Sequence, residues 1–167
     1  MRESDDIRNR AAKIKLLLLD VDGVLTDGKI YLGRGGEEMK SFHVRDGSAL
    51  VRCRRAGVGV ALISGRKSEA VVIRGRELGI DDIFQGVEDK VGVLEDLLAR
   101  YSCDALETAY IGDDLPDRPV MRRVGLSVAV ADGHPALRRE ADYVTAGRGG
   151  EGAVMEVVEM ILAGRGR

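Results

Sequence analysis

The main apolar stretch near the start of the chain is Ile14-Lys-Leu-Leu-Leu-Leu19, with four consecutive leucines, and it stops at two aspartates, Asp20 and Asp22. A short run of this kind, ended by charge and by Gly23, predicts a strand buried on both faces over about residues 14–19. Further apolar runs at Val58–Ile63, Ile83-Phe84, Ala109–Ile111, Ser127–Val130 and Tyr143–Thr145 predict more strands. Between them lie stretches with helical periodicity. Lys90–Tyr101 places Val91, Leu94, Leu97 and Leu98 on one helical face. Helices are also expected at about Ser48–Ala56, at Ser68–Leu78 with Gly79 closing it, at Val120–Val124, after Pro135, and at Glu151–Leu162. Val44–Gly47 reads as a loop and Gly147–Gly150 as a flexible link. Lys29–Leu32 and Glu37–Phe42 flank the turn Gly33-Arg-Gly-Gly36, which predicts a β-hairpin over about residues 29–42.

Strands that alternate with helices and are apolar throughout imply an α/β fold. The expected form is a doubly wound, Rossmann-like parallel sheet with helices on both faces and a small β-hairpin flap over one end. Residues 1–13 are polar and read as a frayed arm or short helix, leaving 14–167 as a single domain. In such sheets ligands bind beyond the carboxyl ends of the strands. The charged clusters of this chain fall at those ends.

Composition narrows the classes of function. Aromatic residues make up 4% of the chain and there is no Trp, which argues against a stacking platform for single-stranded nucleic acid. The net charge of -2 provides no bulk attraction for nucleic acid or acidic membranes. The basic clusters Arg52-Cys-Arg-Arg55, Arg74–Arg76 and Arg138-Arg139 read first as solvated helix faces. No run reaches the roughly 18 apolar residues of a membrane helix. The two cysteines, Cys53 and Cys103, form no CxxC pair, and a reducing cytoplasm is the expected location.

Asp20 and Asp22 stand at i and i+2 of an extended chain, so both carboxylates can face one small space. They repel each other unless a cation or a shared proton intervenes, and Mg2+ suits a site with few carboxylates and a phosphate. The bland alternative is a solvated turn. Three later segments weigh against it. Ser64 ends the second long strand just before a helix N-terminus, where free amides can bind an anion. Lys90 opens a helix, and Asp113-Asp114 ends the Ala109–Ile111 strand. A carboxylate nucleophile, an acid/base carboxylate, a hydroxyl, a cation and metal-binding acids are the parts that phosphoryl transfer requires.

Those segments, D-V-D-G-V-L-T-D, I-S-G-R, E-D-K and Y-I-G-D-D-L-P-D, resemble the four motifs of the haloacid dehalogenase superfamily. The hairpin in place of a cap domain, F-H-V-R-D-G and R-G-G-E-G-A resemble its capless, tetrameric group, which contains the 3-deoxy-D-manno-octulosonate 8-phosphate (KDO 8-phosphate) phosphatases. The resemblance covers about Ile14 to Leu162. It implies Asp20 as a nucleophile that becomes an aspartyl phosphate, and Asp22 as the acid and then base. It implies Mg2+ on Asp20, on the main-chain carbonyl of Asp22 and on Asp113, with Asp114 behind that shell or bound through water. Ser64 and Lys90 are implied to hold phosphoryl oxygens, and Asp117 to orient its loop. For the sugar acid it implies contacts from Asp22, Lys90, the segment His43, Val44, Arg45, Asp46 and Gly47, and from Arg66 and Arg74. A homotetramer is implied, with the hairpin and the tail at about 147–164 completing a neighbour's site. His134 reads as structural.

Two positions depart from that group. Val51 stands where it commonly has a lysine that helps bind substrate, and Met155 where an arginine reaches a neighbouring subunit's site. A nonulosonate 9-phosphate phosphatase is therefore an alternative, although Arg66 leans toward the octulosonate. A phospho-accepting signalling domain is a reading of another class, but its acceptor aspartate ends the third strand, not the first. A non-catalytic regulatory domain is opposed by the intact motifs.

Overall fold

The computed structural model describes residues 2–165. Helix α1 is Arg2–Ala11, strand β1 Leu16–Leu19, hairpin strands β2 Tyr31–Leu32 and β3 Glu38–Met39, and helix α2 Val44–Arg55. Then follow β4 Gly59–Ser64, α3 Glu69–Glu77, β5 Asp82–Gln85, α4 Lys90–Tyr101 and β6 Thr108–Gly112. The chain closes with α5 Arg118–Met121, β7 Leu126–Ala129, α6 Pro135–Glu140, β8 Tyr143–Val144 and α7 Ala153–Ala163.

Six strands form one sheet in the order β5-β4-β1-β6-β7-β8, every neighbour parallel. Strand β1 lies at its centre, with Leu19 opposite Leu62 of β4 and Ile111 of β6. Its four leucines are fully buried and alternate between two cores. Leu17 and Leu19 pack with residues of α2, α3 and α7, while Leu16 and Leu18 pack with residues of α4, α5 and α6. Burying each such side chain contributes about 1.5–3 kcal/mol relative to exposure. From β1 the chain winds outward through β4 and β5, then returns to the other side of β1 and winds outward through β6, β7 and β8. The direction reverses between β1 and β6. The crevice beyond the carboxyl ends of these two strands is the ligand position of a doubly wound sheet.

Two local expectations change, at residues 44–47 and 147–150, and two are made specific, at Ser64 and in the polar arm. Residues 44–47 form the first turn of α2 instead of a loop, because the buried carboxylate of Asp46 reaches across to α7 and fixes this turn. The helix after Ser64 begins only at Glu69, with Ser68 as its extended N-cap residue. Ser64 is therefore the last residue of β4 and not the neighbour of a helix N-terminus. The polar arm is a helix docked on the domain, with Ala11 fully buried and Arg10 Nε donating to the Gly125 carbonyl at 2.7 Å. Finally, 147–150 is a fitted connector. Gly150 N donates to Val24 O at 2.9 Å, and a side chain at Gly149 would strike the Gly23 carbonyl.

Candidate active site

Asp20 follows β1 and is 8% exposed, its amide still bonded to Ile111 O at 3.0 Å. Lys90, the first residue of α4, brings its ammonium into the same crevice. Nζ donates to Asp20 Oδ1 at 2.8 Å, to Asp117 Oδ1 at 2.6 Å, and lies 3.2 Å from the Tyr110 hydroxyl. The helix start that aims Lys90 is secured by Asp89, whose side chain accepts from the amides of Val91 and Gly92. Two buried carboxylates raise the Lys90 pKa against the desolvation that opposes its charge. The lysine is a fixed cation.

Asp117 is the hub of this cluster. Its Oδ2 accepts from the amides of Asp113 at 3.0 Å and Asp114 at 3.2 Å, and its Oδ1 takes Lys90 and the Tyr110 hydroxyl, the latter at 2.6 Å. Its lone pairs are spent on the protein, and the Asp113-Asp114 loop is thereby fixed. Gly112 permits the approach, since a Cβ there would fall 2.6 Å from Asp117 Cβ. Asp20, Asp113 and Asp117 each bring a carboxylate oxygen within 4.8 Å of the others.

The crowding has an electrostatic cost. Burial, then repulsion from Asp117, raises Asp20 to about 6 despite the nearby ammonium. Burial, then Asp20 and Asp117, raises Asp113 to about 8. Asp20 and Asp113, holding protons this strongly beside a lysine already committed to Asp20 and Asp117, form a donor set for a divalent oxygen-ligated cation. Asp20 and Asp113 have free ligand capacity, and Asp117 does not.

The other candidate residues fall into three groups. Ser64 is buried at the end of β4, one strand from Asp20, and its Oγ accepts from the Arg66 amide at 3.2 Å. Asp22 is half-buried and stands outside the group formed by Asp20, Asp113 and Asp117. Its Oδ1 is paired with Lys40, and Arg66 Nε lies 3.9 Å from its Oδ2. Arg66 also donates through Nη2 to Glu38 at 2.5 Å. Arg74 rests over Gly47, where a Cβ would come within 2.3 Å of its guanidinium, and it pairs with Glu77 at 2.8 Å. His43 is the N-cap residue of α2 with Nδ1 3.8 Å from Asp46, and Val44 is 74% exposed. Arg45 is exposed on the same turn.

One residue has another role than expected. The Asp46 carboxylate is fully buried and accepts from Gly152 N at 3.2 Å and Met155 N at 2.8 Å, which caps the start of α7. It supports the turn and presents no oxygen to a sugar. Asp114 is exposed and caps the turn that follows it, accepting from Leu115 N at 2.8 Å. His134 is structural, with Nδ1 accepting from Ala136 N at 3.2 Å and its amide bonded to Asp113 O at 2.6 Å.

Sequence reasoning missed Tyr110, Lys40 and Glu38. Tyr110 brings the one hydroxyl of the apolar run Ala109–Ile111, a signal that could have marked it. Lys40 and Glu38 lie i and i+2 on the inward face of the hairpin, between exposed Glu37, Met39 and Ser41. That alternation was readable, but a surface hairpin gives no reason to expect an inward lysine.

The chain matches the family model for haloacid dehalogenase-like hydrolases over residues 77–157. It is 50% identical to the 3-deoxy-D-manno-octulosonate 8-phosphate phosphatase of Yersinia pestis over 159 residues, covering 95% of this chain and 85% of that protein. The crystal structure of the Yersinia pestis phosphatase superposes with a TM-score of 0.95 over 96% of this chain and 87% of that one. The Moraxella catarrhalis phosphatase, in complex with magnesium ion, phosphate ion and KDO, is 42% identical. It superposes with a TM-score of 0.93 over 96% of this chain and 92% of that one. With this sheet, this carboxylate cluster and these relatives, the chain belongs to the haloacid dehalogenase-like hydrolases.

Proposed function

We propose that this protein is a Mg2+-dependent phosphatase that removes the phosphate of KDO 8-phosphate. One observation carries the reading. At the switch point of the sheet, a nucleophile-ready carboxylate, Asp20, is gripped by a buried ammonium and adjoins a second acidic residue, Asp113, that has free ligand capacity.

In this reading Asp20 attacks phosphorus and the sugar oxygen leaves, so one difficult hydrolysis becomes two easier steps through an aspartyl phosphate. Asp22 gives its proton to the departing oxygen, then takes one from the water that attacks the acyl phosphate. Asp20 is released with inorganic phosphate. Lys90 and the Ser64 hydroxyl hold phosphoryl oxygens. Mg2+ would be held by Asp20, the Asp22 carbonyl and Asp113, and supplies neutralising charge to carboxylates and phosphoryl group alike. Asp117 keeps Lys90 and the Asp113 amide in place. Arg66 and Arg74 supply guanidinium forks for the sugar carboxylate, and the exposed turn at His43, Val44 and Arg45 lines the same side. A tetramer belongs to this reading. Exposed apolar side chains on the hairpin, Ile30 and Met39 at 54% each and Leu32 at 67%, offer contacts for a neighbouring subunit. The two unpaired thiols fit a reducing cytoplasm.

A nonulosonate 9-phosphate is the second reading. Val51 and Met155 are half-buried side chains packed against the core, so this chain presents no cation at either position. Phosphate release with Mg2+ would be compared for KDO 8-phosphate, a nonulosonate 9-phosphate and hexose phosphates, with Asp20→Asn as control. A clear lead for KDO 8-phosphate and an inactive control are expected. A lead for the nonulosonate would make Val51 and Met155 the determinants of specificity. No turnover of any ester, with stable labelling by acetyl phosphate, would replace the enzyme with a phospho-accepting domain. Light scattering would test for four times the 18.0 kDa monomer mass.

A further inference from the structure

Four side chains between the hairpin and the Asp22 loop form a closed ring of alternating charge. Lys40 pairs with Asp22 Oδ1 and, at 3.0 Å, with Glu38 Oε1. Glu38 Oε2 accepts from Arg66 Nη2 at 2.5 Å, and Arg66 Nε closes the ring 3.9 Å from Asp22 Oδ2. The Lys40 side chain is 1% exposed, although it projects from a hairpin whose other face is in water. Burying an ammonium is costly unless its partners are close and well arranged. A solvated lysine would have served the hairpin equally well, so its burial against two carboxylates calls for a reason in the site.

The two oxygens of Asp22 differ. Oδ1 is held by the Lys40 ammonium. Oδ2 has no hydrogen bond among the described residues, because 3.9 Å to the Arg66 guanidinium is beyond bonding range. We propose that Lys40 is a positioning residue that fixes the Asp22 carboxylate through Oδ1, so that Oδ2 carries the proton to the leaving oxygen, and that Glu38 couples this alignment to Arg66. The inference rests on the reading of Asp22 as the acid and base. In the first step the proton on Oδ2 passes to the sugar oxygen as the O–P bond breaks. In the second, Oδ2 takes a proton from water as water attacks the phosphoryl group. Lys40 keeps its three protons throughout.

The test compares phosphoenzyme formation in rapid-quench experiments from two esters with Mg2+ present. KDO 8-phosphate leaves as an alkoxide and needs the proton; p-nitrophenyl phosphate leaves as a stabilised phenolate and does not. For Lys40→Met, phosphorylation by KDO 8-phosphate is expected to slow about 10- to 100-fold, the scale of a misplaced acid. Phosphorylation by p-nitrophenyl phosphate should stay within about threefold, since no general acid is needed for that leaving group. Glu38→Gln should raise KM for KDO 8-phosphate with little change in kcat, because Arg66 loses its anchor while Lys40 still holds Asp22. Equal slowing for both esters, or no slowing for either, overturns the proposal. Should Lys40→Met fail to fold by circular dichroism, Lys40→Gln carries the same comparison. Asp22→Asn separates the two levels. If it too lacks the split between esters, the acid/base reading itself fails; if it has the split and the Lys40 variants do not, only the role of Lys40 is lost.

Discussion

Asp113 lies directly over Gly23, so that a Cβ on Gly23 would fall 2.1 Å from Asp113 Oδ2. The backbone of Gly23 is also at φ +92, a conformation that side chains disfavour. One glycine therefore serves both the turn after Asp22 and the seat of a proposed metal ligand. Gly23→Ala is expected to lose at least about 100-fold in phosphate release, the scale of a small misplacement of reacting groups. Its melting temperature should fall as well. Parent-like kinetics with Mg2+ would show that the loop can shift without cost.

Lys90 is the counter-charge for two buried carboxylates, at 2.8 Å from Asp20 and 2.6 Å from Asp117. Removing one partner of such a group leaves uncompensated charge and typically costs about 3–5 kcal/mol. Lys90→Met should therefore unfold at markedly lower urea at pH 7.5 and lose about 100- to 1,000-fold in kcat, as expected for a lost electrostatic contact to the reacting group. Destabilisation without loss of kcat would confine Lys90 to structure.

The metal-free site should respond to pH in a defined direction. Asp20 at about 6 and Asp113 at about 8 both stand above the ordinary aspartate value of 3.8. In that window the folded protein holds more protons than the unfolded chain, so stability declines as pH rises from about 4 toward 8. Mg2+ must displace those protons, so it should stabilise little near pH 5.5 and strongly near pH 8. Thermal melts at both values, with and without MgCl2, measure the difference. Asp113→Asn should abolish the Mg2+ effect and remove part of the decline with pH. An equal Mg2+ shift at both values would contradict the assignment.

Asp46 holds α7 to α2 through the amides of Gly152 and Met155. Asp46→Ala removes a cap and leaves buried donors unpaired, at about 1–3 kcal/mol. Chemical denaturation should show that loss, with Asp46→Asn milder. In the variant that remains folded, KM for the phosphosugar should change little. A large rise in KM without a change in stability would restore Asp46 to the sugar contacts.

The pattern of apolar runs and helical faces was enough to define the alternating α/β order, the parallel sheet and the position of Asp20, Lys90 and Asp113 at strand or helix ends. Burial on both faces leaves an uninterrupted Leu16–Leu19 run, and the ends of such strands are where polar chemistry collects. Spacing along the chain carries no information about which distant groups meet. Asp46 follows a motif whose resemblance pointed to a sugar contact, yet its carboxylate is used up by α7, more than 100 residues away. Gly149 and Gly150 resemble a mobile tail in sequence, but their lack of side chains is what lets them lie against the Gly23–Asp27 loop. The Asp22–Lys40–Glu38–Arg66 ring, and the sharing of Lys90 and Tyr110 by Asp117, exist only once the hairpin and three separate strand ends are packed together. Local periodicity determines the elements. Which charge neutralises which is decided by desolvation in the folded chain, where a buried carboxylate needs a partner that only tertiary packing can bring.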